Sequence, residues 1–543
     1  MKYFRMKILT TLCMLAIGGN MMGQGFLINY KDGHKVEWNY NDFDSIVVDY
    51  ASQSKTFDRY RTLPVAMREN PGIAIFTEAL FLTGLDAEMS AWRDETWNPS
   101  PYDGKSLYMM GTLWDYCHVP EQRLIRFTVF ATPDEVLRSR YGITSVQGLY
   151  DYARSLYGGE SLDVTNVGNR DKLCLSSNPL RRLLAYHCLK SCPANYDMYT
   201  TICTIATELV NPTEWYATLD DENLLKMERL TVPGEIGAAE HRNDLYLNRS
   251  KKDAVAGVHV ARPDASNDDY WAVNGAYYLT DGLADFSSQT QSTVFNTRIR
   301  MDLYTLFPEM MNNDIRDGRT ANHVTDSYNP DKTVTSPNYW FPDGYVSNVK
   351  VPDGATFMFQ SQHNTYWSYE GDEFNVYAEN PADIDMTLRL PKLPDGEYQL
   401  RLGFSDMSVR PIVQCYFDDM PVGIPVDMRD NNFVSRTGWF ALSESGHSDA
   451  DLRAMHNMGW YHGPASVFCI VGEGHPDGAS DVQRNYFCDI SHTVRYVVDV
   501  FQFKEGEQHT LRLRNVHTDN YAIQLDYLEF VPKEIYEGDE DHY

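Results

Sequence analysis

The run from Asn457 to Pro464, reading NMGWYHGP, carries the most chemistry in this chain. Trp460 and Tyr461 offer flat aromatic faces on which the C–H faces of sugar rings stack, and His462 offers a hydrogen-bond partner for hydroxyls. Two glycines and a proline make the segment too irregular for a central strand, so its rings must be either covered or used. Two readings follow: a glycan-binding face, or a loop folded back so that Trp460 plugs the end of a β-sandwich. Tyr366 and Trp367, beside Tyr369, Glu370 and Asp372, form a second cluster that suits a site or the core side of a strand equally. His187 shares an apolar stripe with Leu180, Leu183 and Leu184, and a histidine so placed is as a rule a hydrogen-bonded core residue.

The signatures of catalysis are missing. The chain has no GxSxG elbow, no HExxH, no phosphate loop and no EF-hand loop, and the glycines of Gly472 to Gly478 are wrongly spaced for a dinucleotide fingerprint. The acid pairs Asp220-Asp221, Asp268-Asp269 and Asp418-Asp419 are sequence neighbours of the kind that belong to solvated turns, whereas glycoside hydrolysis needs two carboxyls facing one bond. A lone His187 assembles neither a triad nor a metal site, and no CxxC pair or Cys/His cluster has zinc spacing. No catalytic residue, metal ligand or cofactor is assigned.

The chain that must position these residues has 543 of them, which at ~150 per domain implies several units. A net charge of −29 repels phosphate backbones and argues against nucleic acid as a partner. Residues 1–24 read as a secretory signal peptide: Lys2, Arg5 and Lys7 precede an apolar run from Ile8 to Ile17, which is shorter than the ~20 residues of a membrane span. Export to the periplasm, the outer-membrane surface or the exterior is expected, with no membrane-spanning segment. Eight of the nine cysteines remain after cleavage, too scattered for a disulfide framework, and buried free thiols are expected.

Residues 25–56 read as a small β extension around the turn Asp32-Gly33. From 57 to 290 the pattern is α+β. Ile73, Phe76 and Leu80 share a helical face closed by Gly84; Ser145 caps a second helix ended by Gly158; Asn178-Pro179 opens a third. Phe127 to Ala131 is one clear strand. Residues 291–350 read as a linker with a helix at Met301 to Met311. From 351 to 535 hydrophobic alternation has period two almost throughout, as in Tyr398, Leu400, Leu402 and Phe404, which predicts a β-sandwich. Residues 536–543 are an acidic tail.

Three segments of the α+β region resemble the fasciclin family: TVFATPDEV from Thr128 to Val136, LLAYHCL from Leu183 to Leu189, and NGAYYLTDGL from Asn274 to Leu283. In this chain Thr132-Pro133 is transposed, Tyr278 stands where that family usually has His, and residues 92–123 look like an insertion. The resemblance implies a fasciclin-like α+β domain whose Tyr-His pair, here Tyr186 and His187, has a part in adhesion as well as packing. The region 351–533 is similar to galactose-binding-like jelly rolls and carbohydrate-binding modules, through LPDGEYQLRLGF, FDDMPVG and the closing strands. Together they imply a multidomain, non-enzymatic adhesion or glycan-binding protein, with a polysaccharide or an envelope protein as partner. A scaffolding partner of an outer-membrane glycan-import assembly is the alternative, and a glycoside hydrolase the remaining one.

Overall fold

A computed structural model describes residues 25–29, 35–39, 61–102, 107–109, 112–114, 119–193, 200–201, 213–231, 241–261, 270–313, 315, 338–361, 372–405, 410–429, 437–440, 445–463, 467–470, 482–485, 493–517 and 522–536. The signal segment, Tyr366, Trp367, Asp268-Asp269 and the tail from 537 lie outside them. The chain forms two units, 1–60 and 61–543. In the first, Gly25–Asn29 pairs antiparallel with Lys35–Asn39, while Asp32-Gly33 lies outside the described residues.

The second unit begins with a helical core whose boundaries follow local signals. Helix Val146–Tyr157 starts where the Ser145 hydroxyl accepts from the Gly148 N–H, and stops at Gly158, which takes the positive φ that a residue with a side chain resists. Helix Pro179–Tyr186 starts where the Asn178 side chain accepts from the Leu180 and Arg181 N–H groups. Together with Ala74–Leu82 these helices bury Phe76, Leu80, Leu149, Leu180 and Leu183 in one cluster.

The three segments that carry the fasciclin resemblance meet in one sheet. Phe127–Ala131 pairs parallel with Gly275–Leu279 on one side and antiparallel with Cys188–Leu189 on the other. Both faces are buried, as parallel pairing demands. Phe127, Val129 and Ala131 face the helical core, while Phe130 faces a second and larger core. Gly275 has no substitute: a Cβ there would lie 1.9 Å from the Phe127 carbonyl oxygen.

That second core runs without a break from a further antiparallel sheet, Val258–Val260, His241–Leu247, Leu224–Thr231 and Thr213–Ala217 in that order, into the β-sandwich. One sandwich sheet has the order Ile299–Asp302, Tyr527–Pro532, Gly396–Ser405, Thr493–Phe503, Trp460–His462. The facing one has Val349–Lys350, Asp385–Arg389, Thr510–Asn515, Ile412–Phe417, Met420–Asp427. Phe417 of the second stacks on Phe501 of the first with centroids 3.8 Å apart, and Leu400, Leu402, Leu511 and Leu513 fill the space between. The period-two alternation therefore reads correctly as a half-buried sandwich.

The expected linker is a correction. Ile299–Asp302 is an edge strand of the sandwich, Leu303–Leu306 a tight 3₁₀ turn and Pro308–Asn312 a short helix, in place of one helix over Met301 to Met311. The Asp302 carboxylate accepts from the Tyr304 N–H, and Pro308, which cannot donate inside a helix, sets the new start. Asn338–Phe341 and Val349–Lys350 also belong to sheets. Boundaries at 290 and 350 thus cut through one core.

If so, residues 351–533 alone lack the strands at 299–302, 338–341 and 349–350 and expose the apolar face they cover. That fragment is expected to show no cooperative urea transition, whereas residues 61–536 unfold cooperatively; a sharp transition for the fragment would refute the shared core.

Candidate functional site

Tyr186 and His187 lie at the end of helix Pro179–Tyr186, fully buried. The Tyr186 hydroxyl donates to the Leu224 carbonyl at 2.9 Å, and Asn248 closes the bond network. The Ala284 N–H donates to His187 Nε2 at 3.0 Å, so Nδ1 carries the proton it gives to the Leu183 carbonyl at 2.8 Å. Burial pushes this imidazole down to about 4. Both ring nitrogens are used and neither side chain reaches the surface, which corrects the adhesion assignment: the pair ties the helix to both cores.

Trp460, Tyr461 and His462 form a strand, hydrogen-bonded antiparallel to Tyr496, Arg495 and Val494. Trp460 is 8% exposed, its ring set against Phe404 and Tyr496. Tyr461 carries the Arg401 guanidinium 3.8 Å from its ring centroid and stacks on His456 at 3.9 Å, so both of its faces are taken. His462 Nε2 lies 2.6 Å from the Phe440 carbonyl. Gly459, at φ 82, turns the chain onto the sheet edge, where Trp460 enters the large core and Tyr461 covers arginines on the opposite face. The segment is a buried edge strand in place of the loop that both sequence readings assumed.

Beneath Tyr461 lies a buried charge cluster. Glu529 receives Arg300 at 2.7 Å and Arg495 at 3.2 Å, with Arg401 at 3.8 Å and Arg298 at 4.0 Å. Burial raises this carboxyl, but the four guanidiniums outweigh that and hold it far below the usual range. It is a structural tie across four strands.

The cavity of interest lies at the junction of the α+β region and the sandwich. It has a volume of about 380 Å³, within the size of sites that hold small ligands. Its apolar wall includes Leu219, Leu224, Met301, Leu306, Met311 and Leu390. Lys190, Glu222, Glu309, Asn348 and Arg389 supply polar groups. Glu309 sits in the first turn of helix Pro308–Asn312 and is 9% exposed. Its Oε1 accepts from Arg123 Nη2 at 3.0 Å and from the Ser347 N–H at 3.2 Å. Its Oε2 is buried with no hydrogen-bond partner among the described residues.

The opposite end is built from the hairpin turn at Leu219 to Asn223. Asp221 and Glu222 both adopt positive φ, which costs on the order of 1 kcal/mol or more each and persists only where surroundings enforce it. Lys392 holds Asp221 at 2.7 Å; Lys190 holds Glu222 at 2.6 Å and Arg389 holds it at 3.0 Å. Burial raises the Glu222 carboxyl, yet Lys190 and Arg389 outweigh it and keep the group below the usual range, unfit to act as a proton donor. Asp220 is buried rather than solvated, which corrects the reading of that pair. Burial pushes it up to about 6 against the pull of Arg182 and Asn223. Asp418 and Asp419 do occupy an exposed hairpin turn.

None of the cavity residues was singled out from sequence. Glu309 reads as an ordinary acid in a first helical turn, and its partners lie 186 and 38 positions away. Among the described residues no group of three or more His, Cys, Asp or Glu is placed to hold a metal, and no helix is long and apolar enough to cross a membrane. Cys174, Cys188 and Cys415 are free thiols.

No protein-family model and no curated protein matches this chain. Similar solved structures include a family 35 carbohydrate binding module from Clostridium thermocellum, at 9% identity and TM-score 0.18, covering 34% of this chain and 92% of that one. A Paenibacillus xanthan lyase is similar at 9% identity and TM-score 0.21, over 59% of this chain and 20% of the lyase. An exo-beta-1,3-galactanase from Phanerochaete chrysosporium is similar at 10% identity and TM-score 0.18, over 59% of this chain and 42% of that one. The chain thus spans well under two thirds of the length of both enzymes.

Two outcomes follow from the buried groups. Trp460→Ala is expected to lower stability by about 3–5 kcal/mol, the cost of a buried ring, read as a shift in urea midpoint; an unchanged midpoint would restore the surface reading. Asp220 keeps its proton in the folded chain up to about pH 6, while unfolded it titrates near 3.8. The stability this adds is fully present below the lower value and is lost as pH rises through the upper one. Asp220→Asn should therefore gain on the parent by up to about 3 kcal/mol between about pH 4 and 7; a difference that stays flat in urea titrations across that range contradicts the assignment.

Proposed function

We propose that this chain is a non-enzymatic glycan-binding protein of the cell envelope or exterior, in which a fasciclin-like α+β domain and a jelly-roll sandwich are joined as one body. The junction cavity carries this reading. An aliphatic wall of leucine and methionine suits the C–H faces of a sugar, and a carboxylate oxygen, a side-chain amide and charged groups at its ends suit hydroxyls. Of its two carboxylates, Glu222 is held ionised by Lys190 and Arg389, which makes it a poor proton donor.

The export signal read at residues 1–24 supports the location, and the meeting of the three resembling segments in one sheet supports the domain type. Affinity electrophoresis of the chain from residue 25 through gels cast with neutral and acidic polysaccharides tests the function. Retardation in at least one gel, without release of reducing ends, is expected. Free migration in all of them, with capture of an envelope protein from extracts, overturns glycan binding in favour of a scaffolding role.

A further inference from the structure

The polar lining of the junction cavity is balanced in an uncommon way for so acidic a chain. Its four cations are Arg123, Lys190, Arg389 and Lys392. Each already faces carboxylates: Arg123 meets Asp94 and Glu309, Lys190 and Arg389 share Glu222, and Lys392 meets Asp221. The lining itself holds these four cations and two carboxylates, Glu222 and Glu309; Asp94 and Asp221, just outside it, complete the pairing, so each cation already has a carboxylate partner. One carboxylate oxygen, Glu309 Oε2, is shielded from bulk water and has no donor among the described residues. A buried acceptor in that state is destabilising until something donates to it.

We infer that the cavity is a specificity site for an uncharged, hydroxyl-bearing sugar unit, anchored by a sugar O–H donating to Glu309 Oε2 and excluding acidic sugars. This rests on the glycan-binding reading and narrows it to a ligand class. The Arg123 guanidinium and the Ser347 N–H both hold the carboxylate by Oε1, so that Oε2, buried in the cavity wall, is the oxygen a ligand hydroxyl would reach by a small shift of the side chain. Arg123 is itself held by Asp94 at 2.8 Å and by the Tyr345 carbonyl at 2.8 Å, so the anchor is supported from both parts of the junction. At the other end Asn348 is committed to Arg389 and to the Leu306 carbonyl, which leaves Glu309 as the acceptor in need of a donor. A uronate would have to compete for cations that already hold carboxylate partners, beside Glu222 and Glu309, which repel it. A neutral hexose brings only hydroxyls and C–H faces, and the volume fits a monosaccharide or disaccharide.

The test is saturation-transfer NMR and calorimetry on the chain from residue 25 with D-glucose, D-galactose, D-xylose and D-glucuronate, alongside the polysaccharide gels. Glu309→Gln keeps an oxygen for Arg123 and Ser347 but turns the anchor into a donor. Ser347→Trp places a ring at the exposed rim of the cavity without touching the core. At least one neutral sugar is expected to bind, glucuronate not to bind, Glu309→Gln to weaken the neutral sugar about tenfold or more, and Ser347→Trp to abolish it. Unfolding midpoints identify any variant that merely fails to fold, and Val167→Trp, at a site 85% exposed, serves as the neutral control.

Neutral-sugar binding that survives both variants, or glucuronate binding more tightly than every neutral sugar, overturns the site. Retardation in the gels with no small sugar bound overturns it while leaving glycan binding intact. Failure in gels and titrations together removes glycan binding and the site with it.

Discussion

The pairing of Ile299–Asp302 with Tyr527–Pro532 is the contact on which the rest of this molecule depends. It draws the segment that follows the α+β region into the sandwich as an edge strand, with Ile299 and Met301 entering the large core and Arg300 reaching Glu529 on the other face. Once that strand is in place, the tight turn at Leu303–Leu306 and the helix Pro308–Asn312 must fall against the hairpin at Thr213–Ala217 and the chain preceding Phe127. The junction is therefore a continuation of hydrophobic packing and not a contact between two finished surfaces. Such an interface permits little relative motion, unlike the small polar contacts that usually join domains.

The charges obey the same geometry. Glu529, enclosed by four arginines, is an arrangement whose desolvation is repaid only by several close partners, and Tyr461 completes it by covering Arg401. At the junction the ion pairs of Asp221, Glu222 and Glu309 reach across from one region to the other and hold two residues in left-handed backbone conformations. The cavity is what remains between these ties. Its shape is set by the elements that cannot move closer, and its polarity by side chains already committed to holding the regions together.

That origin explains why aromatic residues, abundant in this chain, do not mark the site. Tyr186, His187 and His462 stood out because polar rings in apolar company have to be satisfied, and the structure satisfies them internally, while Trp460 and Tyr461 are covered by other side chains. The cavity, by contrast, is lined by leucines, methionines and paired charges that look ordinary along the chain. The glycan-binding proposal consequently rests on a different part of the molecule from the one the sequence pointed to.

What the sequence by itself determined is everything governed by neighbours within a few positions. Ser145 and Asn178 start helices through bonds to the next turn, Pro179 by its fixed φ, Gly158 ends one by its freedom of φ, and the alternation from Tyr398 to Phe404 decides which face of a strand meets the apolar core. What only the tertiary structure decided is whatever depends on distant partners. Residues 299–302 became a strand because an edge 229 positions away in sequence was open to them. Gly459 turned Trp460 to His462 into a buried edge strand because a sheet edge lay beside it. Glu309 became a candidate anchor because Arg123 and Ser347 claim one of its oxygens and leave the other. Local backbone and capping preferences act over one turn or one pleat, while burial and pairing of charge are settled only when the chain has closed on itself.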